Sequence, residues 1–454
     1  MKPLFHSSLY QFDTPQPSYW EASCPPNQLQ NNSLDANDHC DVAIIGGGYT
    51  GLSAALHLSR DYQLDVRVLE AGHIGWGASG RNGGFVSMGS TKLSIEAQIK
   101  QLGLNETRRF FQSQAEAVNL VKTLGQDEDI NFLSQGDREY VVADNPGLFE
   151  GLKQEAEVLQ QQFGIDTEIL SAEKFREQGY DSPHQHGAIS LKPSFALHPL
   201  RYAFGLAEAA ERRGAVLHPH SEVLRWEKQN GKHILQTANG QLTADRVILT
   251  GNGFMPEHLH PGIAGRPFPV QSAIVVTRPL NEAELSNQGW LTENPTINSK
   301  HLFYYYRLLS DKRLMIGGRA NHDGNPEGAE ATFKELKSAV ANFWPHFAQA
   351  EFTHQWRGLV CLARNLRPSI GRMPEDPSIY FAFAYHGNGV NTSTWAGREL
   401  AKWMAGTESD DEILPTHLPA IYRGLAPRFP LPWLRCQYLR FAMKGYRIRD
   451  RLGI

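Results

Sequence analysis

The run Gly46-Gly47-Gly48-Tyr49-Thr50-Gly51 has the G-x-G-x-x-G spacing that suits a pyrophosphate. Gly46 would allow a tight turn out of a strand, and Gly48 would let the backbone approach the phosphates. Gly51 would let the following helix pack close to the strand, with its N-terminus facing the negative charge. Glu70 follows at about the 20-residue interval at which a carboxylate takes the ribose hydroxyls.

The flanking sequence supplies the elements these residues need. Asp41-Val42-Ala43-Ile44-Ile45 is an apolar run ending in glycines, as a buried parallel strand requires. Leu52 to Ser59 has helical periodicity, and Leu64 to Glu70 reads as the next strand. Strand, helix and strand over about 30 residues make a βαβ unit.

The fingerprint alone does not choose between NAD and FAD, but other segments do. After Glu70 come Ala71-Gly72 and then Gly77-Ala78-Ser79-Gly80-Arg81-Asn82-Gly83-Gly84. In that loop Ser79, Arg81, Asn82, Gly83 and Gly84 offer donors to a second phosphate and a backbone that passes flat against a ring. Val247 to Thr250, ending in Gly251, reads as a third strand of the nucleotide unit, and Val223 is placed to give an adenine backbone contacts. Far along the chain, Tyr385-His386-Gly387-Asn388-Gly389-Val390 leads into a helix over about Asn391 to Met404. Its N-terminus would offer amides to the anion that forms at the pyrimidine edge of a reduced flavin. A nicotinamide needs no such second clamp, so FAD is the expected cofactor.

These residues also carry a family resemblance. The chain resembles the D-amino-acid oxidase/glycine oxidase superfamily of FAD-dependent oxidoreductases, and within it the subgroup that contains γ-glutamylputrescine oxidoreductase. The likeness rests on Tyr19-Trp20, the fingerprint through Glu70, Gly77 to Gly84, Leu197-His198-Pro199 and Arg313 to Arg319. It continues through Trp356-Arg357-Gly358, Arg367 to Gly371 and His386 to Gly389. It implies oxidation of a C–N bond by hydride transfer from carbon to flavin, chemistry that asks mainly for orientation of the substrate. Glycine/sarcosine oxidase and D-amino-acid dehydrogenase share these motifs, and a flavin-bearing protein without turnover is the reading from another class.

Candidate substrate residues sit in Tyr304-Tyr305-Tyr306-Arg307, ahead of the Arg313 strand. Alternation puts Tyr304 and Tyr306 on one face and Tyr305 and Arg307 on the other. Tyr306 and Arg307 are taken as site candidates, an aromatic wall for an aliphatic amine and a cation for a carboxylate, with His386 beside the flavin clamp. Trp356 is expected to be mainly a packing residue. The resemblance includes relatives that tether the flavin to a cysteine, but Leu359-Val360-Cys361-Leu362 reads as a buried strand, so a noncovalent flavin is expected. No lysine stands in the Met315-Ile316-Gly317 stretch, which leaves oxygen and a quinone-type carrier both open as electron acceptor.

Composition sets the frame. In 454 residues, 41% are hydrophobic and 20% charged, with a formal net charge of −4, an ordinary globular balance that does not suggest nucleic acid. Cys24, Cys40, Cys361 and Cys436 lie far apart, and His184/His186 and His218/His220 are i, i+2 pairs, so no metal is expected. The start, Met1 to His6, has no apolar run of secretory length, and the expected location is cytoplasmic.

The expected fold class is α/β: a Rossmann-like FAD-binding domain with a parallel sheet, and a second α+β substrate domain on an antiparallel sheet. Residues 1–37 read as an arm pinned by Tyr19 and Trp20. Residues 38–92, 196–268 and 357–408 form the FAD-binding domain, and 93–195 with 269–356 the substrate domain, the former largely helical. Residues 409–454 are a basic tail. There Leu434, Tyr438, Phe441, Gly445, Ile448 and Leu452 recur at helical spacing beside Arg440, Lys444, Arg447 and Arg451. Docking of that helix on its own fold, with a solvated charged face, is preferred over peripheral contact with a membrane.

Overall fold

The computed structural model describes residues 4–30, 32–321, 324–406 and 414–452. Its centre is the strand Asn37–Ile45, whose Val42, Ala43 and Ile44 have no exposed surface. Burial on both faces is what an unbroken apolar run dictates. It lies between two parallel neighbours, Val66–Leu69 and Gln241–Leu249, with Ile44 opposite Val68 on one side and Ile248 on the other. Val216–His218 extends the sheet beyond Val66–Leu69, while Asp376–Phe383 and Ser369–Met373 extend it past Gln241–Leu249. A hairpin, Arg225–Gln229 with Lys232–Gln236, is added antiparallel to Gln241–Leu249. Asn230 and Gly231 both have positive φ at its tip, the pattern of the turn whose twist matches that of paired strands.

The helix Tyr49–Tyr62 is buried from Tyr49 to Ser59 because the helices Pro199–Arg212 and Val390–Met404 enclose it. Close packing depends on Gly51, where an added Cβ would stand 2.1 Å from the Gly46 carbonyl oxygen. The spacing read from the sequence thus has a steric cause.

The second sheet runs Phe352–Leu362, Phe268–Pro279, Arg313–Arg319, Tyr305–Leu308, Thr296–Asn298, Glu139–Val142, Ala188–Lys192 and Asp166–Leu170. It is antiparallel except where Thr296–Asn298 lies parallel to Glu139–Val142. One face covers an aromatic core of Tyr140, Phe175, Tyr180, Trp290, Tyr306, Trp344 and Phe347. The other faces the nucleotide half.

Three expectations about organisation need correction. The helix Leu104–Asp127 falls in the segment assigned to the substrate domain, yet Phe110, Val118, Val121 and Leu124 pack in the core of the nucleotide half. Its buried Gln114 donates to Thr392 Oγ1 at 3.1 Å and to the Tyr422 hydroxyl at 2.7 Å. The segment is also less helical than its periodicity suggested, because Glu139–Val142, Asp166–Leu170 and Ala188–Lys192 are strands. Runs of four or five residues are too short for a two-residue period to stand out beside long helices. The boundary at residue 357 cuts the strand Phe352–Leu362, which pairs with Phe268–Pro279 from Phe352 through Leu362.

The arm is pinned as its aromatic residues suggested. Trp20 Nε1 donates to the Asn82 carbonyl at 2.9 Å and the Tyr19 hydroxyl to Asp311 at 2.8 Å. The helix Arg435–Leu452 docks on the antiparallel sheet, but not by the stripe read from the sequence. Leu439 and Met443 enter a cluster with Val270, Phe268 and Leu362, whereas Phe441 and Ile448 point outward. A shifted stripe arises because several apolar residues surround this helix, and the sheet selects which of them it covers. Residues 409–413 and 453–454 of the tail, and the side chains of Arg451 and Leu452, lie outside the described part.

Candidate active site

A cavity of about 630 Å³ runs from the carboxyl end of the strand Asn37–Ile45 to the inner face of the antiparallel sheet. A crevice beyond the strand ends is where open parallel sheets bind their ligands. At its first end the chain leaves Ile45 through Gly46, at φ +115°, a left-handed conformation that glycine adopts without strain. Gly48 begins the helix Tyr49–Tyr62 without a side-chain cap, so the first-turn amides are open to an anion. The Tyr49 amide is the exception, donating to Ser79 Oγ at 2.9 Å.

Glu70 sits at the end of the second strand, held by two backbone donors: Gly47 N–H at 2.6 Å and Gly72 N–H at 3.0 Å. Burial raises its pKa, and those amides oppose the rise. Ala71 and Val223 line the same end.

The loop over the cavity is stapled by its own side chains. Asn82 Nδ2 donates to the carbonyls of Ser79 at 2.9 Å and Ala78 at 3.1 Å, while its Oδ1 accepts from Gly84 N–H at 2.7 Å. Arg81 donates from Nε to the Trp76 carbonyl at 2.7 Å and lies 3.8 Å over the Trp76 ring. Its Nη2 is buried without a partner, and burial pushes its pKa down to about 9. Trp356 ties the sheet to this loop, donating to the Arg81 carbonyl at 2.9 Å, and also lines the cavity.

At the far end, the Tyr385 hydroxyl and Thr50 Oγ1 lie 2.7 Å apart, joining the two helix starts. His386 and Gly387 have φ of +56° and +98°, and Gly389 opens the helix Val390–Met404 without a side-chain cap. Asn388 Nδ2 donates to the Met88 carbonyl at 2.6 Å. Neither ring nitrogen of His386 makes a geometrically sound hydrogen bond, although the Arg367 backbone lies beside it. Burial holds this imidazole down at about 3, so it is neutral.

Of the residues singled out from sequence for the nucleotide, Gly46, Gly48, Glu70, Ala71, Ser79, Arg81, Asn82, Gly83, Val223, Gly251, Gly387, Asn388, Gly389 and Val390 line this one cavity. Gly51 and Gly84 do not. Gly51 serves helix packing, and a Cβ on Gly84 would lie 2.0 Å from the Leu197 carbonyl oxygen.

The substrate-side candidates divide. His386 lines the cavity, but Tyr306 and Arg307 do not. Tyr306 points into the aromatic core, its hydroxyl 2.6 Å from that of Tyr180. Arg307 shares the inner face with Tyr305, yet every guanidinium nitrogen is taken: Nε by the Gly83 carbonyl at 3.1 Å, Nη1 by Gln135 Oε1 at 3.0 Å and Nη2 by the Leu197 carbonyl at 2.7 Å. Arg307 is therefore a brace for the loop, buried and away from the cavity wall. Tyr305 lines the cavity instead, its hydroxyl 2.8 Å from Ser272 Oγ. Its partner across the ladder is Gly317, a pairing set by strand register that the sequence pattern does not reveal.

Among the charged residues in this wall that were given no site role from the sequence are Lys92, Glu139, Glu155 and Arg319. Lys92 is an exposed residue on the cavity wall, and the protein packed around it pushes its ammonium down to about 8. Its Nζ lies 5.1 Å from the ring centre of Phe303. Glu139 accepts from Ser87 Oγ at 2.9 Å, and burial pushes its carboxyl up to about 7. Burial also lowers the pKa of Arg319. No motif announces Lys92, Glu139 or Glu155, and Arg319 stands only at the end of the Arg313–Arg319 stretch, because four separate segments bring these residues together.

The first end fits an adenine dinucleotide: an uncapped helix start, a strand-end carboxylate and a buried unpartnered Arg81 donor. The second uncapped helix start, at Gly389, suits the electron-rich edge of a flavin. Residues 41–403 match the FAD dependent oxidoreductase (DAO) family, and the chain belongs to that family. The protein is an FAD-dependent oxidoreductase. It is 30% identical over 447 residues to gamma-glutamylputrescine oxidoreductase of Escherichia coli, an alignment covering 96% of this chain and 99% of that one. It is 24% identical to glycine oxidase of Bacillus subtilis, over 83% of this chain and 96% of the other. The solved glycine oxidase of Geobacillus kaustophilus shares the fold, with a TM-score of 0.69 at 20% identity, over 86% of this chain and 100% of that one.

Proposed function

We propose that this enzyme oxidises the C–N bond of an aliphatic amine, at its CH–NH2 end, in a molecule that also carries an amino-acid end group, as γ-glutamylputrescine does. The observation that supports this reading is the continuity of one cavity from the dinucleotide turn to the charged wall of Lys92, Glu139 and Arg319. FAD supplies the hydride acceptor when bound. The chain's own residues bind and orient. Lys92 and Arg319 bring positive charge for a carboxylate, and Glu139 and Glu155 bring negative charge for an ammonium. Tyr305 and Phe303 give an apolar wall for methylenes between them. His386, being neutral, adds no charge beside the reacting carbon. The relative named for γ-glutamylputrescine supports this substrate class over glycine or sarcosine, which lack such a chain. The electron acceptor for a bound flavin would be oxygen or a quinone-type carrier.

The test is anaerobic bleaching of the flavin by a panel of amines. Fast bleaching by γ-glutamylputrescine and slow bleaching by glycine, sarcosine and D-amino acids is expected. Bleaching by D-amino acids with none by γ-glutamylated diamines would overturn the substrate class.

A further inference from the structure

We propose that the outer face of the helix Arg435–Leu452, with the turn before it, is a docking surface for an anionic phospholipid bilayer. Five of the ten large apolar residues left exposed among the described residues, Leu431, Trp433, Phe441, Tyr446 and Ile448, fall within one short stretch of the chain. Phe441 is 70%, Ile448 58% and Trp433 69% exposed. Single exposed apolar residues are ordinary, but a cluster marks an interaction surface.

The geometry of the helix sharpens this. Leu439, Met443 and Asp450 form the inner side: the first two pack on the sheet, and Asp450 accepts from the backbone N–H of His301 at 2.8 Å and of Leu302 at 3.1 Å. Tyr446 belongs to that side as well, stacked on His301. At 100° per residue, Phe441 and Ile448 stand two turns apart on the opposite side, away from the protein. Lys444 and Arg440 flank that ridge on one side and Arg449 on the other, all exposed. Among the described residues none of these three has an acidic partner within ion-pair distance, whereas Arg447 lies 3.9 Å from Glu335. An apolar ridge with basic flanks and an exposed tryptophan beside it is the pattern of a helix lying in a bilayer interface.

Charge selects this occupant over a second copy of the chain. A two-fold contact would bring basic flank against basic flank, with no acid on the helix's outer face among the described residues to compensate. Anionic headgroups compensate both flanks at once and accept the ridge between them. The contact is peripheral, since no helix of the described residues is long and apolar enough to cross a membrane.

The experiment is co-sedimentation of the full-length, flavin-loaded enzyme with vesicles of phosphatidylcholine alone or mixed with phosphatidylglycerol. Binding to the mixed vesicles only, reversed by high salt, is expected. R440E/K444E should weaken it about 25-fold or more, since each basic residue contributes about fivefold. F441S/I448S should weaken it about tenfold while leaving flavin content and melting temperature unchanged, because both side chains are outside the core. Equal binding to both vesicle types, or no effect of either variant, overturns the proposal. So does a vesicle-free dimer that F441S/I448S abolishes, or equal retention on immobilised polyglutamate that survives F441S/I448S, which points to an acidic protein.

Discussion

Tyr305 stands directly across the ladder from Gly317, and a Cβ on that glycine would lie 2.2 Å from the ring. The ring can occupy the cavity wall only because the facing residue has no side chain. Gly317→Ala should therefore displace Tyr305 toward the cavity, at about 1–3 kcal/mol in stability. The expected kinetic result is a raised KM with FAD retained, measured by steady-state assay and flavin absorbance.

Arg307 braces the Gly77–Gly84 loop through the Gly83 and Leu197 carbonyls. Arg307→Met strands two buried carbonyls and Gln135, and should cost about 2–4 kcal/mol. The loss should show as a lower melting temperature and faster release of FAD. A change confined to substrate KM would return Arg307 to the substrate site.

Glu139 gives a pH dependence with a definite sign. Its folded pKa, about 7, lies above its ordinary value of 4.5, so the native state holds the proton more tightly than the unfolded chain. The favourable contribution is complete below pH 4.5 and is lost as pH rises through about 7. Glu139→Gln should match the wild type in stability at the acidic end and exceed it above pH 7, by on the order of 3 kcal/mol. Denaturant titrations across that window decide it; parallel curves would show that Glu139 is not shifted.

Lys92 and Arg319 should act on substrates by charge. Lys92→Met and Arg319→Met are expected to raise KM about tenfold or more for an amine bearing a carboxylate, from loss of a charge-assisted hydrogen bond. The same variants should barely change KM for the analogue lacking the carboxylate. Equal effects on both would remove the anion-binding role.

Cys361 lines the cavity, but its thiol is buried and pushed up to about 12, with Sγ donating to the Leu362 carbonyl at 3.5 Å. A thiol held protonated is a poor nucleophile. The flavin should therefore be released on acid precipitation, leaving a colourless pellet, and Cys361→Ala should keep its full complement of FAD. Colour retained in the pellet would overturn the noncovalent reading.

The nucleotide half was legible because its signals are local. Gly46, Gly48, Gly51 and Glu70 belong to one βαβ unit whose spacing is set by the length of a turn and a helix. The Gly77–Gly84 loop and the Gly387–Gly389 turn announce themselves by composition. Alternation likewise predicted which residues of Tyr304 to Arg307 share a face.

What alternation did not supply was which face meets the cavity, and which polar groups the fold itself consumes. Tyr306 went to the aromatic core and Arg307 to three acceptors on distant segments, while Tyr305 took the wall. Lys92, Glu139 and Arg319 converge from separate segments, so no local pattern marked them. The helix Arg435–Leu452 shows the same division. Its sequence determined that it would be basic and amphipathic. The sheet it packs on decided that Leu439 and Met443 would be covered and Phe441 and Ile448 left outside, because burial is settled by what each residue meets across the fold.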